Sequence, residues 1–240
     1  MSSGIWTPPA VTSNQEFCNE VVYRFIAPDA AAATLEATDT KEEADLVEQL
    51  VSDSIARPTS EVSDLHSLLE KPFITKPHRN GSRFGSLSST GVFYAGFAPE
   101  TAAAERGFYV RKFLLDSPAL PYISQQHIRI TAQIKSSIID VRVAPFHTYK
   151  KIFMDENSYV KTQEFAEMVR TTDVLGIKYA SVRSPGNEAC LALLSPKGFA
   201  KKMPNNIEGN WTCFATTDRV SWINPYAGTN GTSAQYEFPY

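Results

Sequence analysis

Short apolar runs recur along this chain between helical stretches, and they do so without a regular strand–helix–strand alternation. Val21–Ile26, Gly91–Phe97, Ser137–Val143, Ile177–Val182, Cys190–Leu194, Trp211–Thr216 and Arg219–Ile223 read as strands. Pro99 sits well as the first residue of a helix that runs on through PETAAAERGFYVRKFLL, and Tyr159–Arg170 reads as another, with Gly176 after its end. A doubly wound parallel sheet needs strands and helices in turn, so the irregular order points to an α+β fold. Residues 1–20 read as a polar lead-in and the tail after Asn224 as loop.

Residues 36–71 differ from the rest in being acid-rich and free of glycine. Thr40 with Glu43 has the form of a capping box, and Leu46, Val47, Leu50, Val51 and Ile55 follow at helical spacing. Val62, Leu65, Leu68 and Leu69 make a second amphipathic stretch that stops at Pro72. We expect one domain over 1–240, with a core at about 20–223 and a two-helix insertion at 36–71.

Several classes of function lose ground on composition. The net charge of −3 is the wrong sign for a non-specific binder of nucleic acid or of an anionic membrane. No apolar run approaches the roughly 18 residues of a membrane span. Arg24 is the first basic residue, so the start lacks the charged region of a secretory signal, and a cytoplasmic location is expected. Cys18, Cys190 and Cys213 suggest free thiols in a reducing compartment. The histidines 66, 78, 127 and 147 are scattered and no cysteine pair has zinc spacing, so no metal is expected. Neither a dinucleotide glycine fingerprint nor a phosphate-binding loop is present. Gly81 and Gly85 bracket Arg83, where a hydrolase elbow would need a serine. The acidic pair Asp155–Glu156 precedes a helix and reads as its dipole partner.

Three places hold polar groups where a plain core would not. Arg24 lies inside Tyr23-Arg24-Phe25, either on the solvent face of an edge strand or as a guanidinium waiting for a phosphate or carboxylate. Arg83 sits on the Gly81–Gly85 loop, ahead of Tyr94 and then Glu105. Glu105 follows an alanine run, so it is either a solvated helix residue or a carboxylate that close helix packing turns into a cleft. Ser181 runs from a strand into a tight turn, as a small β-face residue or as part of a site.

Their order is informative. Tyr23-Arg24, Ser82-Arg83-Phe84, Gly91 through Tyr94-Ala95, Thr101-Ala102 with Glu105, Gln163, and Tyr179 through Gly186 with Cys190-Leu191-Ala192-Leu193 together resemble the RES domain family, named for its Arg, Glu and Ser. The chain departs from some members in carrying Phe25 after the arginine and in its long acidic stretch. The resemblance implies an ADP-ribosyltransferase-like core of two small mixed sheets around an NAD cleft. It also implies a toxin that destroys NAD by hydrolysis or phosphorolysis of the nicotinamide–ribose bond and is held by a cognate antitoxin. Transfer of ADP-ribose to a protein is the first alternative, and an inactive binding module the second. By the same resemblance Arg24, Glu105 and Ser181 are the catalytic set. Arg83 and Tyr94 would hold substrate, and NAD would be consumed without a further cofactor.

Overall fold

A computed structural model describes residues 6–27, 64–74, 81–227 and 233–240. Most of the expected insertion at 36–71 lies outside these residues. Its end is a short helix, α2 (Ser67–Ile74), which continues past Pro72. Leu69 on this helix is fully buried, and Phe73 meets the ring of Phe199 edge-on. That packing holds the helix beyond the proline, which removes one backbone donor near its end.

The other elements are α1 (Pro8–Ser13), β1 (Gln15–Ile26), β2 (Phe93–Gly96), α3 (Pro99–Leu115), β3 (Ile123–Asp140), α4 (Lys150–Phe153) and α5 (Val160–Arg170). They continue with β4 (Gly176–Ala180), β5 (Ala189–Leu193), β6 (Asn206–Ala215), β7 (Arg219–Asn224) and β8 (Ala234–Pro239). The class is α+β with mixed strand directions, as expected. The strands form two groups, β2–β5–β4 and β1–β3–β6–β7–β8, that are hydrogen-bonded into one sheet of eight. Two seams join them. One is the parallel pairing of β3 with β4 at Ile138–Asp140, and the other is the single register point Tyr23↔Gly96 between β1 and β2.

Two elements reach further than the apolar pattern suggests. β1 starts at Gln15 because its polar first half pairs residue by residue with the far end of β3, Gln15 opposite Ile139 and Glu20 opposite Ile134. The lead-in therefore holds a helix and half a strand. The tail holds β8, half of whose residues are exposed and which pairs with β7 from Arg219↔Pro239 to Asn224↔Ala234. In both cases a backbone ladder supplies what side-chain burial does not.

Helix α3 carries Glu105. Ala102, Ala103 and Ala104 are buried in a cluster with Phe25, Trp211 and Trp222. Gly107 lies so close to β7 that a Cβ there would come within 2.8 Å of Val220 Cγ1. Small residues on one face thus let the helix press onto the sheet and carry Glu105 inward.

Candidate active site

Glu105 and Ser181 meet directly. Ser181 Oγ donates to Glu105 Oε1 at 2.5 Å. Ser181 Oγ in turn accepts from the backbone N–H of Arg183 at 3.1 Å and of Ser184 at 2.9 Å. One donor and two acceptor sites are a hydroxyl's whole capacity, so Ser181 is saturated. It ties the 181–186 turn to the carboxylate, and it is fully buried. Glu105 Oε2 has no hydrogen-bond partner among the described residues. Burial pushes the Glu105 pKa up, and the Ser181 hydrogen bond and the Arg183 and Arg83 guanidiniums pull it back in part. Cys190 Sγ, 3.9 Å from Oε1, is a weak further neighbour, and its own thiol is held well above its ordinary pKa by burial.

Arg24 is not on an edge. Its strand has neighbours on both sides, and its Nη1 donates to the Tyr94 carbonyl at 2.7 Å. The guanidinium stands 5.1 Å from the Phe93 ring centroid, and its Nε is sealed from solvent with no partner. No carboxylate pairs with it among the described residues. Burial, with repulsion from Arg106, lowers its pKa to about 10, so it remains a cation at neutral pH. A buried cation without an acid is the arrangement an anionic ligand would complete. Arg24 is within electrostatic reach of Tyr94 and Tyr179, and Tyr179 is within reach of Glu105.

Arg83 and Tyr94 build the loop beside this pair. Arg83 Nη1 donates to the carbonyls of Phe153 at 2.7 Å and Asp155 at 2.8 Å, with its guanidinium 4.8 Å over the Tyr159 ring. Tyr94 Oη accepts from Phe84 N at 2.9 Å and shares a hydrogen bond with Ser82 Oγ at the same distance. Its hydroxyl is thus engaged by the loop, and burial pushes its pKa up to about 12. Helix α5 closes the loop from behind. Gln163 Nε2 donates to the Ser82 carbonyl at 2.9 Å, and Thr162 Oγ1 donates to that of Arg83. Gly81 makes this possible at φ +69°, a left-handed conformation that a side chain disfavours.

The structure therefore brings Glu105 and Ser181 into contact, Arg24 and Tyr94 into contact, and Arg83 within electrostatic range of Glu105 and Tyr94. It also adds residues that the sequence did not single out as site residues. Tyr109, whose side chain is half exposed, shares the field of Glu105. Thr162 and Gln163 hold the loop; Gln163 was part of the family resemblance without a role, and Thr162 carried no signal beyond a polar residue on an amphipathic helix. Asp155 and Glu156 are not at the helix start. Asp155 Oδ1 accepts from Asn157 N and Ser158 N in a turn before Val160, and Glu156 pairs with Arg183. A hollow of about 250 Å³ lined by Arg142, His147, Lys150, Phe153 and Ala180 lies beside the turn, but neither Glu105 nor Ser181 is on its wall.

The RES domain family matches residues 57–214, about two-thirds of the chain. The chain belongs to the RES domain family. Arg83, Tyr94, Glu105 and Ser181 fall within the matched range. Arg24 lies before it, so its place beside Tyr94 rests on the structure. No curated protein matches the sequence. Among solved structures, a chain from the crystal structure of the M. tuberculosis MbcT–MbcA toxin–antitoxin complex matches with a TM-score of 0.48 at 8% identity. The match covers 89% of this chain and 94% of that one. Among the described residues no helix is long and apolar enough to cross a membrane.

Proposed function

We propose that this RES domain cleaves the nicotinamide–ribose bond of NAD and serves as a toxin restrained by a cognate antitoxin. The observation that carries the reading is the buried Glu105 carboxylate, gripped on one oxygen by Ser181 and open on the other, in a site with the cation Arg24, which has no acid partner among the described residues. NAD has complementary charge. Its diphosphate is anionic, and its reacting ribose becomes cationic as the bond breaks.

In the reaction the C1′–N bond breaks and its electron pair leaves with nicotinamide, which departs neutral. Positive charge develops on the ribose ring. Glu105, desolvated and fixed by Ser181, stabilises that charge without reorganising. Its free Oε2 is suited to a ribose hydroxyl. An oxygen nucleophile, water or phosphate, then forms the new C1′–O bond. With water the surplus proton passes to solvent, and the products are ADP-ribose and nicotinamide. Ser181 acts through Glu105 as a positioning residue, and Arg83 and Tyr94 act through the 81–85 loop. Arg24 offers its unpaired face to a phosphate.

The test is nicotinamide release from NAD by purified protein, compared with Glu105→Gln. Incubation of labelled NAD with lysate fixes the acceptor: label left in ADP-ribose or its phosphate supports the proposal, and label on protein replaces it with ADP-ribosyl transfer. In cells, expression of the wild type is expected to arrest growth, and Glu105→Gln is expected to be harmless.

A further inference from the structure

Arg183 has no part in the scheme above, yet it stands at the edge of the same site. Its guanidinium lies 3.6 Å from the centroid of the Phe108 ring, on the same helix as Glu105. Its backbone N–H is held by Ser181 Oγ, and its charge acts on both Glu105 and Tyr109. Arg183 Nη1 pairs with Glu156. The two partners differ sharply in surroundings. The Arg183 side chain is 11% exposed and the Glu156 side chain 54%. A nearly sealed cation is thus neutralised by one carboxylate that reaches in from solvent.

The loop that carries Glu156 is fixed from below. Arg83 holds the Phe153 and Asp155 carbonyls, and Asp155 Oδ1 holds Asn157 N and Ser158 N. Glu156 can therefore swing away without any movement of its backbone. An ion pair with one solvent-exposed partner shifts an equilibrium only by about two- to fivefold. A diphosphate brings more charge and more oxygens to the same planar fork than a single carboxylate does. Stacking on Phe108 keeps that fork oriented while the partner changes.

We propose that Arg183 is a phosphate-binding residue of the site and that Glu156 is its exchangeable counter-ion, displaced when a diphosphate ligand enters. The inference rests on NAD as the substrate, because NAD supplies the diphosphate.

Calorimetric titration with ADP tests it without requiring any chemistry. Glu156→Gln is expected to bind ADP about two- to fivefold more tightly than wild type. Arg183→Gln is expected to bind about tenfold or more weakly, and in the double variant the gain from Glu156→Gln disappears. Should Arg183→Gln fail to fold, Arg183→Met takes its place in both arms, since it removes the charge and keeps much of the apolar stem. A Glu156→Gln protein that binds ADP no more tightly than wild type overturns the proposal. A gain that persists in the double variant also overturns it. The expected pattern without nicotinamide release retains this assignment and removes the NAD-cleavage reading. Nicotinamide release with an ADP affinity that is flat across the variants does the reverse.

Discussion

Glu105→Gln is expected to make the protein more stable and far less active. The substitution keeps the size of the side chain and an oxygen for the Ser181 hydroxyl, which now stands 2.5 Å from Oε1. What it loses is charge. A charge-assisted hydrogen bond becomes a neutral one, a loss of about 1 kcal/mol. Against this, a buried ion carries a penalty of several kcal/mol, only partly offset by its neighbours. The raised pKa of Glu105, with burial as its first cause, shows which effect is larger. A net gain of about 1 kcal/mol at neutral pH is expected, or roughly 2–4 °C in Tm for a domain of this size. The sign follows from linkage. The folded-state pKa lies above the unfolded one, so the wild type is favoured by protonation and loses that stability as pH rises through the folded value. The advantage of the variant is therefore greatest above that pH and vanishes below the unfolded carboxylate value of about 4.3. Turnover is expected to fall by about 10²–10³-fold, the scale of losing one preorganised electrostatic group, with little change in ADP affinity. Thermal unfolding across pH together with steady-state nicotinamide release measures both. A folded variant with unchanged turnover, or one whose Tm falls at neutral pH, refutes the reasoning.

Other substitutions separate binding, positioning and loop geometry. Arg24→Met removes a half-buried cation whose Nε is sealed and which has no acid partner among the described residues, so Tm is expected to hold or rise while calorimetry shows ADP binding weakened about tenfold or more. Ser181→Ala strands the Arg183 and Ser184 N–H groups, which is expected to destabilise by about 2–4 kcal/mol in chemical denaturation. The same variant is expected to lower kcat more than it raises KM, because Glu105 is left unheld. Gly81→Ala adds a Cβ at φ +69°, 2.4 Å from the Gly85 carbonyl oxygen. A loss of at least about 1–2 kcal/mol is expected in Tm measurements, and a smaller loss than that removes the loop from the argument for substrate binding.

Helix α5 and strands β2, β4, β5 and β7 were legible because burial writes a period into the sequence. Of β3 only the last residues, from Ser137, were seen. Its first part interleaves Gln125, His127, Arg129 and Lys135 with Ile128, Ile130, Ala132 and Ile134, an alternation that was present but masked by the charged residues. The first half of β1 and all of β8 left almost no trace, since their pairing is made by backbone groups that every residue carries. At the site, Glu105 and Ser181 were found through order and spacing, and nothing local said that they touch. Arg83 was found as a cation on a glycine-rich loop, but its two carbonyl acceptors lie some 70 residues away. The pairing of Glu156 with Arg183 was equally hidden, because a carboxylate before a helix looks the same whether it serves the helix or a distant guanidinium.

The most direct measurement is nicotinamide release from NAD by the purified, folded protein in the presence of EDTA. Among the described residues no cluster of histidine, cysteine or carboxylate groups could hold a metal ion. Stoichiometric release that survives the chelator and is lost in Glu105→Gln is the expected result. A folded wild-type protein that leaves NAD intact, or one whose release is unaffected by Glu105→Gln, contradicts the role assigned to Glu105 and Ser181.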